Sequence, residues 1–538
     1  MTLGSLLARY TVFGLCIFIT LLTLPFLPSA GWLWPLTLLA GALSLLGIYD
    51  LAQRRHAVRR NYPVIGNIRY LVEEIRPEIR QYLLEGDDDK LPYSRAQRSL
   101  VYQRAKDTVS ESPFGTLLDV YGNGYEFIGH SSRPALNVDP ARFRITIGGP
   151  QCTEPYSASV FNISAMSFGA LSANAIRALN RGAKMGGFAH DTGEGGISPY
   201  HREYGGDLIW EIGSGYFGCR TRDGQFDPGR FAREAQSPQV KMIEIKISQG
   251  AKPGHGGILP KGKVSAEIAL TRGVEEGKEC VSPARHSAFS TPVEMMQFIA
   301  RLRELSGGKP VGFKLCLGHP WEFMGIVKAM LETGILPDFI VVDGAEGGTG
   351  AAPVEFTDHI GVPMREGLLF VHNVLVGAGL RDRIKIGAAG KVVSAFDVAS
   401  TLAIGADWVN AARAFMFAIG CIQSRSCHTN RCPTGVATQD PLRQRALYVP
   451  DKAERVFNYH RNTVRALAEI LASAGLEHPD QLGPHHLARR TSNTEIRLFS
   501  QIHYFARPGE LLDSEAGSEF FRESWRMARA DSFDPARL

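Results

Sequence analysis

Three cysteines in the last quarter of the 538-residue chain, Cys421, Cys427 and Cys432, stand in a C-x5-C-x4-C pattern, and proline follows the third. Thiolates so spaced are ligands for a soft metal, and a Cys-Pro ending is of the kind found in iron–sulfur loops. Zinc is the alternative. Its sites normally gather paired C-x2–4-C units, and His428 as a fourth ligand beside Cys427 strains that geometry. An odd triplet argues against disulfides. The remaining cysteines, at 16, 152, 219, 280 and 316, are isolated and read as small core or surface residues.

Two lysines, Lys246 and Lys314, lie within apolar β-type runs, KMIEIKI and VGFKLCL. A lysine so placed needs a partner charge, and a bound anionic ring supplies one; snorkelling at a strand end is the plainer reading. Two glycine-rich stretches follow later runs, Asp343-Gly-Ala-Glu-Gly-Gly-Thr-Gly350 and Gly387-Ala-Ala-Gly-Lys391. Glycines let backbone N–H groups approach phosphate oxygens, and Arg413 adds a cation. A phosphorylated ligand follows.

The elements that must position these groups alternate short β-branched runs with longer helical stretches. Eight strands are predicted, at 162–166, 187–191, 215–219, 241–247, 311–317, 338–343, 383–388 and 407–412. That number and span predict a (β/α)8 TIM barrel, whose C-terminal strand ends carry the chemistry. Predicted boundaries are 1–53 for an apolar hairpin, 54–154 for a polar helical collar, 155–444 for the barrel with its cysteine loop, and 445–538 for a C-terminal helical extension.

Composition agrees with an α/β globule: 44% hydrophobic and 21% charged residues exclude a coiled coil or a disordered tail. A formal charge of only +5, with the basic residues dispersed, argues against nucleic acid. The N-terminus differs. No charged side chain occurs between Arg9 and Asp50, a run that reaches ~60 Å as helix, about two bilayer crossings. Pro25, Pro28, Ser29 and Gly31 break it, with Trp32 and Trp34 as interfacial aromatics, so helices are expected at about 10–28 and 33–50. Arg54, Arg55, Arg59 and Arg60 then put the following chain in the cytoplasm, with the hairpin in the cytoplasmic (inner) membrane and lipid as a partner. A cleaved signal peptide ending near Ala30 is the alternative. The acidic knot Glu85-Gly86-Asp87-Asp88-Asp89 lacks calcium-loop spacing and reads as a solvated turn.

From about Pro155 to Gln444 the chain resembles the FMN-binding synthase domain of glutamate synthases. The matching pieces come in the family's order: SAMSFGALS (164–172), TGEGG (192–196), MIEIKISQGAKPG (242–254), GGTGAAP (347–353) and the cysteine loop ending CPTGVATQD. The resemblance implies FMN above the barrel mouth and a [3Fe-4S] cluster on Cys421, Cys427 and Cys432. It implies flavin contacts from Ala165, Met166, Ser167, Lys246, Gln249 and Lys314, and phosphate contacts from Gly347, Gly348, Thr349, Gly387, Gly390 and Arg413. Glu194 matches the family's active-site glutamate, catalytic together with Lys246 and Lys314. Lys252 lies in the segment facing 2-oxoglutarate.

Departures accompany the match. Where the family's oxo-acid loop reads KPGEGGQLPG, this chain places His255 and Ile258. The N-terminal cysteine of the family's glutaminase domain has no counterpart, since Thr2 stands there. The expected function is reductive amination of 2-oxoglutarate or a related oxo acid to an amino acid. Ammonia comes from solution or a separate glutaminase subunit, and electrons from a donor such as ferredoxin or a reductase subunit. The alternative is an amine or amino-acid dehydrogenase, or an N-substituted glutamate synthase, passing electrons to a membrane carrier.

Overall fold

The computed structural model describes residues 3–53, 56–86, 89, 92–108, 111, 113–513 and 517–537. Arg54 and Arg55 of the arginine run, and Asp87 and Asp88 of the acidic knot, lie outside the described residues. The chain forms two compact units, Met1–Leu91 and Pro92–Leu538. The boundary falls inside the segment 54–154 that was expected as one collar.

In the first unit, helix α1 (Leu3–Thr23) and helix α2 (Trp34–Ala52) pack as an antiparallel hairpin, with Pro35 in the first turn of α2, where its missing N–H costs nothing. Small residues set the contact. A Cβ on Gly47 would lie 2.1 Å from the Phe13 ring, and the hydroxyl of Thr37 donates to Thr23 Oγ1 at 2.8 Å. Both helices are long and apolar enough to cross a membrane, over Arg9–Phe26 and Gly31–Ala52. Helix α3 (Gly66–Ile79) follows, entered through a turn that Asp50 holds: its Oδ2 accepts from Val64 N at 3.0 Å and Asn67 Nδ2 at 2.6 Å.

In the second unit eight parallel strands close a barrel: β1 Phe161–Ile163, β2 His190–Asp191, β3 Leu208–Ile212, β4 Val240–Lys246, β5 Val311–Leu315, β6 Phe339–Asp343, β7 Lys385–Ala389 and β8 Trp408–Ala411. The expected (β/α)8 fold is borne out, with one strand misplaced. The third is Leu208–Ile212, and 215–219 is the turn after it, where Tyr216 and Gly218 adopt φ of 47° and 88° that no strand accommodates.

Alternation along the strands sorts the barrel into layers. Ile243 and Ile245 of β4 face the helices, while Met242, Glu244 and Lys246 take the other parity. Near the strand N-termini the interior is apolar: Ile209, Met242, Phe339, Val341 and Trp408 pack with Ile147 and Tyr156 of an antiparallel strand pair, Arg144–Ile147 with Tyr156–Ser159, that plugs this end. Polar groups are left for the opposite, C-terminal mouth.

Helix α4 (Arg95–Ala105) starts at a capping box, Ser94 with Gln97. Helix α5 (Ala173–Gly186) packs on the long α6 (Val449–Ser473), where a Cβ on Gly182 would come within 2.5 Å of Val456. The region after residue 444 contains, besides helices, the strands Leu487–Arg490 and Ile496–Leu498, which form a small sheet with Glu126–Ile128.

Candidate active site

A cavity opens at the C-terminal ends of β4–β8 and β1. The ends of these strands supply Lys314, Asp343, Ala389, Asn410 and Ala411, and the loops beyond them Ser164, Ala165, Gln249, Gly347, Gly348, Gly390, Lys391 and Arg413. Of the residues expected to hold a flavin, Ala165, Gln249, Lys314, Gly347, Gly348, Gly390 and Arg413 therefore share one cavity. Met166 and Ser167 sit just past Ala165, packed against Gly193, whose Cβ would meet Ser167 N at 2.6 Å. Thr349 is exposed beside the lining glycines. Gly387 does not line the cavity: a Cβ there would lie 2.5 Å from the Trp408 ring, so it makes room for the apolar plug.

At one end of the cavity two cations converge on glycine backbone. A Cβ on Gly348 would stand 2.5 Å from Arg413 Nη1, and Lys391 takes φ of 49° to reach the same wall. Burial and the repulsion of Arg413 both lower the Lys391 pKa. A phosphate dianion offsets that repulsion, so these residues suit a phosphorylated cofactor. Tyr93, unanticipated from the sequence, stacks on the Arg413 guanidinium at 5.0 Å from the ring centroid.

At the other end Lys314 is buried among carboxylates. It ion-pairs with Glu211 and, at 3.2 Å, with Glu244, and Asp191 completes a trio of acids whose ligand oxygens lie within 4.8 Å of one another. Burial, then Glu244, pushes the Asp191 carboxyl well up, and burial also raises that of Glu244; against burial, the acids hold the Lys314 ammonium charged. Lys314 and Lys246 are register partners on β5 and β4.

Lys246 turns to a second group of charges. Its Nζ lies 2.7 Å from Glu194 Oε2, which also accepts from Ser282 Oγ at 3.2 Å. Burial opposes charge on Glu194, but Lys246, Arg272 and Lys252 together hold its pKa down to about 2. The long segment between β4 and the helix Pro292–Leu305 delivers these partners: Lys252 from its start, Arg272 from the short helix Ala266–Arg272 within it, and Ser282 from just past the strand pair Ile258–Leu259 with Cys280–Val281. Lys252 is buried, its pKa lowered by burial to about 8 despite Glu194. His255 is half-exposed; its Nδ1 contacts Gly256 O at 2.9 Å and its ring sits edge-on to Phe356.

The cysteine loop borders the cavity. A Cβ on Gly350 would lie 3.2 Å from Cys427 Cβ, and Tyr102 Oη donates to Cys421 O at 2.7 Å. Tyr93 N and O are both bonded to the Gln423 amide. Cys427 and Cys432 both raise the pKa of Cys421, and Cys432 raises that of Cys427, so the three sulfurs are neighbours. Burial opposes ionisation of Cys432, but the Ala437 N–H and the Thr434 hydroxyl, with further N–H groups, lower its pKa, the donor pattern of a cluster-ligating sulfur. Three neighbouring thiols with such donors suit a soft metal or metal cluster.

Residues 128–477 match the conserved region in glutamate synthase. The chain is 38% identical over 499 residues to the glutamate synthase large subunit-like protein YerD of Bacillus subtilis, covering 85% of this chain and 94% of that one. It is 36% identical over 321 residues to the archaeal glutamate synthase (NADPH) of Methanocaldococcus jannaschii, of whose length it spans 60%. Among solved structures, a mutant flavocytochrome b2 with pyruvate bound overlaps 78% of this chain and 85% of its own at 13% identity and a TM-score of 0.41, too loosely to argue from. A match running through the whole barrel, and a relative covered almost from end to end, make this chain a member of the glutamate synthase family, an oxidoreductase built on a closed eight-stranded barrel.

Proposed function

We propose that the protein is an FMN- and [3Fe-4S]-dependent oxidoreductase that reductively aminates 2-oxoglutarate or a closely related oxo acid. The observation that carries the reading is the gathering of Lys246, Lys252 and Arg272 around the single carboxylate Glu194. Three cations against one anion leave positive charge for a dicarboxylic oxo acid, beside the cavity fitted for the cofactor.

When bound, FMN supplies hydride transfer to a carbon–nitrogen double bond and the cluster supplies single electrons. Arg413, Lys391 and the backbone of Gly347, Gly348 and Gly390 hold the phosphate. Lys314, kept charged by its acids, presents a fixed cation to the ring, with Gln249 beside it. Lys252 and Arg272 bind and orient substrate carboxylates. Glu194 binds the incoming nitrogen as ammonium, and it becomes a better proton acceptor as the substrate's carboxylates neutralise Lys252 and Arg272, which raises its pKa from about 2.

Nitrogen enters as free ammonia or from a separate glutaminase subunit. Burial pushes the thiols of Cys152 and Cys316 up to about 11 and about 12, and that of Cys219 higher still, so none of these is an activated nucleophile. Electrons come from ferredoxin, from NADPH through a reductase subunit, or from a similar donor. The hairpin anchors the protein in the cytoplasmic membrane with the barrel in the cytoplasm, as Arg59 and Arg60 after it favour.

The test is to reduce the purified holoprotein and add 2-oxoglutarate with ammonium, following flavin reoxidation and amino-acid product. Reoxidation with product formation is expected; silence overturns the synthase reading. A second reading, an amine or amino-acid dehydrogenase or N-substituted glutamate synthase feeding a membrane carrier, is favoured by His255 against Phe356, an aromatic rim where the family has a carboxylate. Reduction of the oxidised flavin by an amine or amino acid identifies it.

A further inference from the structure

Helix α3, with Ile65 just before it, carries an apolar stripe that the described residues of its own unit leave exposed. Ile65, Ile68, Leu71, Val72 and Ile75 recur at three- and four-residue spacing and are each 41–57% exposed. At 100° per residue they fall within one ~120° sector. The opposite face is the one held: Tyr70 packs edge-on to His56 at 5.1 Å and under the Arg59 guanidinium at 4.4 Å. An isolated helix of 14 residues is marginal in water, so an apolar face turned outward requires a cover.

We infer that α3 lies in the plane of the membrane, its stripe sunk into the boundary between phospholipid headgroups and acyl chains. This rests on the hairpin α1–α2 spanning the bilayer, as proposed above. The occupant is argued from continuity. Asp50, in the last turn of α2 and fully buried, accepts from Val64 N and Asn67 Nδ2, so the first turn of α3 is bonded to the end of a membrane-crossing helix and starts at headgroup depth. Arg69 and Arg76 flank one edge of the stripe, where they meet anionic headgroups, while Glu73 and Glu74 lie on the far face toward water. Among the described residues, Arg69 is held outside the stripe by its 2.9 Å ion pair with Glu73.

The experiment uses the full-length protein in cell membranes with the photo-crosslinker p-benzoylphenylalanine placed singly at Ile68, Leu71 or Ile75, at Glu74 on the far face, and at Leu45 in the hairpin. After illumination, phospholipid adducts on the peptide are read by mass spectrometry. Adducts at 68, 71 and 75 comparable to those at 45, and several-fold fewer at 74, are expected. Adducts at 45 with none along the stripe would overturn the in-plane helix and leave the spanning hairpin intact. Cross-links from the stripe to peptides of 92–538 or to a second copy would likewise overturn it, naming protein as the cover. Absence of lipid at 45 removes the membrane reading and this inference together.

Discussion

Glu194 and Lys246 come from the segments ending β2 and β4 and meet at 2.7 Å, with side chains only 14% and 8% exposed. Gly257 makes the meeting possible, because a Cβ there would stand 1.9 Å from Glu194 Oε1. Gly257→Ala should therefore displace the carboxylate while leaving the flavin cavity untouched. The expected outcome is full flavin content with kcat/KM lowered by about 10²-fold. Glu194→Gln should match it. Normal turnover in both variants would remove Glu194 from the chemistry.

Lys252 gives the pH dependence a sign. A lysine lowered to about 8 is charged below that pH and neutral above it, so the affinity for a carboxylate substrate falls as pH rises through about 8. Glu194, at about 2 before substrate binds, contributes no limb to kcat/KM in the neutral range. KM should climb on the alkaline side with a smaller change in kcat, and Lys252→Arg should move that limb upward. An alkaline limb that stays in place in Lys252→Arg would assign it to another group.

Lys314 neutralises part of the acidic trio, and its loss should appear in stability before activity. Lys314→Met strands Glu211 and Glu244, at a cost of about 3–5 kcal/mol. Asp191 and Glu244 already have raised pKa values, so the fold favours their protonated forms. That contribution is complete below the unfolded carboxylate range and is lost as pH rises through the raised values. The variant's Tm should thus fall, as pH rises above the ordinary carboxylate range, more steeply than that of the parent protein. Parallel Tm curves would refute the raised carboxyl pKa values of the trio.

Cys427→Ser should remove iron and leave most of the flavin, because Cys427 is not among the residues lining the flavin cavity. Metal analysis and the visible spectrum of anaerobically purified protein check this. Zinc without iron in the parent protein would defeat the electron-relay reading.

Much of the barrel was legible because its strands are short apolar runs closed by glycine-rich turns. Leu208–Ile212 escaped because Glu211 interrupts its apolar run as an exposed acid would, whereas the closed barrel turns that side chain inward to Lys314. The acidic trio has the same origin. Parity along KMIEIKI puts Glu244 with Lys246 on one face, which is readable, but Asp191 and Glu211 join them only through strand neighbours fixed by closure. Tyr93 was missed because it reaches Arg413 from before the barrel, and no local pattern encodes a contact over such a separation.

That separation has a consequence for synthesis of the chain. The bonds joining Tyr93 to Gln423 span 330 residues, and α4 also packs on α6. At a ribosomal rate of 5–20 residues per second, the wait between the two ends is roughly 15–65 s. During that interval β1 lacks β8, and two unpaired strand edges stand open to whichever chaperone or neighbouring nascent chain reaches them first.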